Sequence, residues 1–191
     1  MSKGRLEAFS DGVIAILITI MVLELKIPHG EDWGSLRSMS HSFSTYVLSF
    51  VYLGIYWNNH HHMLHAADRV DGRILWANLH LLFWLSLVPA ATGWIGDTWL
   101  APLPTAVYGA VLLFAAIAYT ILQTTIVARQ GSGSKLASAV GKDIKGKISL
   151  GLYVAAIGLA FVRPWISAAL YVLVATIWFV PDRRIEGVLS R

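Results

Sequence analysis

The sequence predicts an all-α integral membrane protein, a bundle of about six transmembrane helices, and three observations carry that expectation. Of its 191 residues, 56% are hydrophobic, and the mean hydropathy is +0.61. Apolar blocks about as long as a bilayer core recur along nearly the whole chain, instead of one alternating or 3.6-residue core pattern. Lys and Arg gather in alternate connections between those blocks. At roughly 20 residues per span, the length leaves short loops and no sizeable soluble domain, so residues 1–191 read as a single membrane domain.

The first span, about 4–26, begins in "GRLEAFSDGVIAILITIMVLELK" and carries Arg5, Ser10 and Asp11 in its first turns and Glu24 near its far end. The second is expected at 39–65 and the third at 73–95, with Pro89 late in it, where the missing N–H and the ring should kink or end the helix. The fourth, 104–128, starts on Pro104, at a position where no N–H is needed. The fifth and sixth, 148–163 and 165–182, are short and meet tightly at Arg163-Pro164. Charge, Gly or Pro clusters set each boundary. The first apolar run has no small-residue cleavage site and holds Ser-Asp where a signal core would be apolar, so no targeting peptide is expected.

Orientation follows from charge. With the N-terminus inside, the inner segments hold Lys3, Arg5, Arg69, Arg73, Arg129, Lys135, Lys142, Lys145, Lys147, Arg183, Arg184 and Arg191, and the outer ones only Lys26, Arg37 and Arg163. That asymmetry predicts a multi-pass protein of the cell membrane with both termini cytoplasmic. Trp33, Trp94, Trp99 and Trp165 fall near expected outer boundaries, where interfacial aromatics belong. The net charge of +4 is thus a matter of topology. The basic stretch "RQGSGSKLASAVGKDIKGK" reads as a Gly/Ser linker followed by an amphipathic approach to the anionic inner leaflet, and no nucleic-acid partner is expected. Cysteine is absent, which excludes disulfides, thiol catalysis and Cys-based metal sites.

On a helix at roughly 100° per residue, Gly12, Ile16, Thr19 and Leu23 share one narrow stripe, and Ser10 and Asp11 point away from it. Helix packing alone explains such a stripe, with Gly12 admitting a neighbour and Thr19 bonding its own backbone. An Arg5–Asp11 charge pair at a helix end likewise needs no function. Yet a carboxylate at membrane depth must find a partner or water, so Asp11 has a separate task from the stripe. Periodicity does not choose between packing and function.

The motif Arg-x-x-x-Phe-Ser-Asp, as Arg5, Phe9, Ser10 and Asp11, resembles the first-helix signature of the transmembrane protein 175 family, the endolysosomal potassium channels and their prokaryotic relatives. "YWNNHH" at Tyr56 to His61 and "NLHLLFWLSLVPAATGWIG" from Asn78 to Gly96 are similar to its second and third helices. The resemblance implies a potassium-preferring cation channel without a Thr-Val-Gly-Tyr-Gly filter, and no such segment exists here. It implies that the first helix lines the pore, with the constriction on Ile16, further layers at Thr19 and Leu23, and Gly12 on the same line. One motif and one set of spans imply a homotetramer in the lipid bilayer, since a single such helix encloses nothing. Monovalent cations, K+ first, are the expected permeants, with no cofactor and no catalytic residue.

Arg5, Phe9, Ser10, Asp11, Trp57, His60, His61 and Asn78 form a second constellation, expected to anchor the first three helices together. Whether His60 or His61 also senses pH stays open. His61 and His65 stand at i and i+4, a spacing that can hold Zn²⁺; with only Asp68 and Asp71 beyond the helix end to assist, no metal site is expected. The alternative function is a proton-coupled secondary transporter using Asp11 and the histidines; the sequence has no pair of related broken helices to support it. A membrane metalloenzyme lacks a carboxylate in the His run and a nucleophile motif. Glu24 is expected to pair with Lys26 or Arg37 at the interface, the other reading being that it draws cations to the mouth.

Overall fold

In the computed structural model, residues 2–28, 30–67, 70–130 and 143–179 are described. Among them every regular element is a helix, and most of the breaks have a local cause. α1, Lys3–Ile20, tightens into a 3₁₀ turn, Met21–Glu24, before Leu25 goes extended on the approach to Pro28. A short α2, Trp33–Ser38, starts on Asp32, whose carboxylate accepts from Ser35 N at 2.8 Å. α3, Ser40–His65, is followed by α4, Gly72–Ser86, which Asp71 caps by accepting from Arg73 N and Ile74 N, each at 3.0 Å. The third apolar block is two helices, not one: α4 stops at Ser86 and α5 runs Val88–Asp97, because Pro89 has no N–H to give the carbonyl four residues back. α6, Pro102–Gln130, α7, Ile144–Ala160, and α8, Pro164–Phe179, complete the order.

By length and composition, Lys3–Glu24, Gly72–Asp97 and Pro102–Gln130 are long and apolar enough to cross a membrane, and Pro164–Phe179 is a shorter apolar helix. The end of the sixth expected span (180–182), Asp68 and Arg69, and residues 131–142 of the basic stretch lie outside the described residues.

α6 is the central post, packed on α4, α5, α7 and α8. Its Leu112, Ala115, Ala118, Leu122 and Ile126 are completely buried at steps of three and four. Gly109 on the same helix makes room for a side chain of α8: a Cβ there would strike the Tyr171 hydroxyl. That hydroxyl donates to the Thr105 carbonyl at 3.0 Å, Tyr52 donates to the Tyr171 carbonyl at 2.6 Å, and Tyr108 and Ser49 share a bond of 2.9 Å. A buried hydroxyl without a partner costs about 1–3 kcal/mol, so these tyrosines fix which helices meet as well as filling space. α1 lies against α3 and α4, and its 3₁₀ turn against α5.

Candidate pore helix and the polar network that holds it

α1 has two different long faces. Leu6, Ser10, Ile14, Leu17 and Met21 recur at steps of three and four and are buried against the bundle. Opposite them Arg5, Phe9, Gly12, Ile16, Thr19 and Leu23 are exposed along one line; Ile16 is 57% exposed and Leu23 78%. A Cβ on Gly12 would meet nothing within 4 Å. Thr19 Oγ1 donates to the Ile16 carbonyl at 2.9 Å, so its proton is committed to the helix and its lone pairs are free to face outward.

The buried face is held by a directed chain. Asn78 Nδ2 on α4 donates to Ser10 Oγ at 3.0 Å, and Ser10 Oγ donates to the Leu6 carbonyl at 2.9 Å. The amide oxygen of Asn78 therefore turns to His60 on α3, 2.7 Å from its Nε2, and with the oxygen accepting, that nitrogen carries the proton. Ser10, His60 and Asn78 are each at most 1% exposed, so these bonds lie where water cannot replace them. Beside the chain, Trp57 Nε1 donates to Asp11 Oδ1 at 3.0 Å, which answers the carboxylate's need for a partner.

Of the residues expected in the anchor, the structure thus joins Ser10, His60 and Asn78 in one chain and Asp11 with Trp57 in one bond. Arg5 and Phe9 lie on the exposed stripe of Ile16, and Arg5 makes no hydrogen bond or ion pair to a described residue. His61 is exposed, its ring 6.3 Å from that of Trp57 and stacked at 6.2 Å with His65. Among the described residues no three potential ligands gather around a metal position. Asp71 is engaged elsewhere, capping α4 and pairing with Arg129 Nε at 2.8 Å; the capping bonds from α4, with help from Arg129, hold its carboxyl below the usual range.

Two contacts lay outside the sequence reading. Lys3 Nζ donates to the His65 carbonyl at 2.6 Å, tying the start of α1 to the end of α3, where a cation also suits the helix dipole. Its signal in the sequence was only a lysine three residues into the chain. At the other end Lys26 pairs with Asp97 on α5, and the expected pairing of Glu24 is not made: no ion pair joins Glu24 to Lys26 or Arg37. Glu24 instead lies exposed beside Gly93, where a Cβ would fall 2.5 Å from its Oε2.

Comparison with known proteins agrees with this arrangement. The family described as "Endosomal/lysosomal potassium channel TMEM175" matches residues 5–89, the part that holds the motif and the network. A potassium channel of Chryseobacterium sp. (strain P1-3) is 55% identical over 190 residues, 100% of this chain and 99% of the relative. One of Streptomyces collinus is 32% identical over 91% of this chain and 89% of its own. The crystal structure of a lysosomal potassium-selective channel TMEM175 homolog from Chamaesiphon minutus superposes with a TM-score of 0.84 at 28% identity, covering 94% of this chain and 97% of the other. Similarity that runs end to end in both sequence and fold, over a first helix built as described, means that the chain belongs to the TMEM175 family, as a member of its prokaryotic kind.

Proposed function

We propose that the protein is a potassium-preferring cation channel of the cell membrane, a homotetramer in which the exposed stripe of α1 from each copy lines the pore. The observation that carries this reading is the contrast within α1: one face is locked by buried hydrogen bonds, and the other, apolar but for Arg5 at its start and the Thr19 hydroxyl, is left exposed in the single chain. One copy encloses no pore, and cyclic closure of about four copies around α1 would turn Ile16 inward. A ring of Ile16 side chains gates by dewetting, since a narrow apolar gap expels water and leaves an ion unhydrated, and a small dilation restores a wet path. Gly12 gives the helices room below that ring, and Leu23 forms a further apolar layer.

Thr19 supplies the preference for potassium. Its proton is bonded back to the Ile16 carbonyl, so four hydroxyl oxygens would present acceptor lone pairs to a partly dehydrated cation. The relatives named potassium channels, and the potassium-selective solved homolog, support the choice of ion. Six spans with both termini cytoplasmic, the membrane as setting, and no cofactor beyond the permeant cation belong to the same reading. A channel carries out no covalent chemistry, so no residue is assigned a catalytic role.

The test is the conductance of Ile16→Asn in liposomes. A polar ring at the gate should raise leak current several-fold, and unchanged conductance would remove Ile16 from the constriction.

A further inference from the structure

The two long helices that border α1 each leave one side bare. On α3, Phe43, Val47, Phe50, Gly54, Trp57 and His61 recur at steps of four and three, the spacing of a coiled-coil seam, and all but the half-buried Gly54 are exposed. A Cβ on Gly54 would meet nothing within 4 Å. Trp57 bonds to Asp11, so this seam adjoins the exposed stripe of α1. On α4, Trp76, Leu79, His80 and Phe83 are exposed together.

Two polar side chains decide what covers these faces. Trp84 Nε1 donates to His80 Nε2 at 3.0 Å, so the proton of His80 sits on Nδ1, where it has no acceptor among the described residues. Asn58, half-buried and one turn along α3 from Gly54, makes no side-chain hydrogen bond to a described residue either. Both stand roughly two turns from the inner ends of their helices, at a depth where hydrocarbon offers neither donor nor acceptor. The exposed face of α8 is different: Trp165, Val172, Leu173 and Phe179 suit lipid, and the helix carries no His, Asn, Gln or charged residue. The bare faces of α3 and α4 call for protein.

Their levels also match. The bond between His60 and Asn78 puts those two residues at one depth. α3 and α4 are successive spans running in opposite senses, so at about 1.5 Å per residue on each, His80 is level with Asn58, and Phe83 with the residue beside Gly54. Rotation about an axis along the membrane normal leaves these depths unchanged from copy to copy.

We infer that the α4 face of one copy packs on the α3 seam of the next, the partner's His80 donating from Nδ1 to Asn58 Oδ1 and the partner's Phe83 seated over Gly54. A cyclic contact joins two different faces of the chain, and α3 and α4 both border α1, the helix assigned to the axis. Within lipid, helices associate through small residues that admit a neighbour and through hydrogen bonds between them; Gly54 supplies the first and the pair of His80 and Asn58 the second. The inference rests on the cyclic assembly proposed above and adds which faces meet and which bond closes them.

The chain has no cysteine, so an introduced pair reports its own contact. The experiment is oxidation by copper phenanthroline of the full-length Gly54→Cys/Phe83→Cys protein in membranes, read on a denaturing gel, with mass photometry of the unsubstituted protein beside it. The pair should give covalent species up to the tetramer, and neither single variant should give any. In detergent, His80→Ala and Asn58→Ala should each raise the dissociation constant of the assembly about threefold per contact, and the double variant no further than either alone. Asn58→Ala removes no bond within its own chain, so this variant keeps its fold if the others do not. A tetramer that the cysteine pair does not link would overturn the inference and leave the channel reading standing, whereas a monomer would overturn both. Linking through either single cysteine, which marks a twofold contact, or additive effects of the two alanine variants would also overturn it.

Discussion

Trp57 Nε1 lies 3.0 Å from Asp11 Oδ1, and this bond from α3 to α1 fixes the rotation of α1 about its own axis. Because Asp11 is held on one side, Gly12 and Ile16 are turned to the other. Trp57→Phe keeps most of the ring and removes the donor. Trp57 is 45% exposed, so the carboxylate regains some water, and the cost should be about 1 kcal/mol, read as a lower unfolding temperature in detergent. An unchanged unfolding temperature would show that the bond does not hold α1.

Asn78 is the most demanding position of the network, since it donates to Ser10 and accepts from His60 while fully buried. Asn78→Leu leaves the His60 N–H without its acceptor in an apolar interior and takes from Ser10 the bond it accepts, though Ser10 still donates to Leu6, and should cost about 1–3 kcal/mol. Asn78→Asp can still accept from His60 but loses the donor to Ser10, so it also destabilises. Thermal unfolding of the two variants checks this, and a neutral Asn78→Leu would contradict it.

Much of the helical layout was legible from apolar blocks and breakers, because a bilayer-length run and a proline each act through local chemistry. The division of the third block at Leu87 was legible as Pro89; the start of α7 at Ile144, earlier than the expected 148, was not, since Lys145 and Lys147 read as loop charges. In the candidate site, Ser10, Asp11, Trp57, His60 and Asn78 were identifiable as polar residues out of place in apolar helices. That Arg5 and Phe9 share the face of Ile16 follows from their spacing of eleven and seven residues from it, yet their place in the motif suggested the anchor. Lys26 with Asp97, Asp71 with Arg129, and Tyr119 with Trp178 join residues far apart in sequence, and no local pattern announces such pairs.

Gly109 permits the close approach of Tyr171, whose hydroxyl occupies the space of the missing Cβ. Gly109→Ala should push that hydroxyl off the Thr105 carbonyl and cost about 1–3 kcal/mol, despite the better helix propensity of alanine. Adding Tyr171→Phe should recover part of the loss, since it removes the atom in the way. A stabilising Gly109→Ala would contradict the packing described.

The carboxyl of Asp71 is held low chiefly by the N–H of Ile74 and, with it, by Arg129. A carboxyl depressed on folding adds stability that is complete above its unfolded value, about 3.9, and is lost as pH falls through the lower folded value. The destabilisation by Asp71→Ala should therefore be full at neutral pH and vanish in strong acid. Unfolding temperatures of the two proteins across pH check the trend, and a difference that grows toward acid would contradict it.

The measurement that bears most directly on the central claim is current through the purified protein in a planar bilayer under a potassium gradient, as sodium replaces potassium on one side. A potassium-preferring pore lined by Ile16 and Thr19 predicts ohmic current reversing near the potassium potential. Slow, saturating flux that follows a proton gradient, with no such reversal, would contradict it and return Asp11 and His60 to the role of a proton relay.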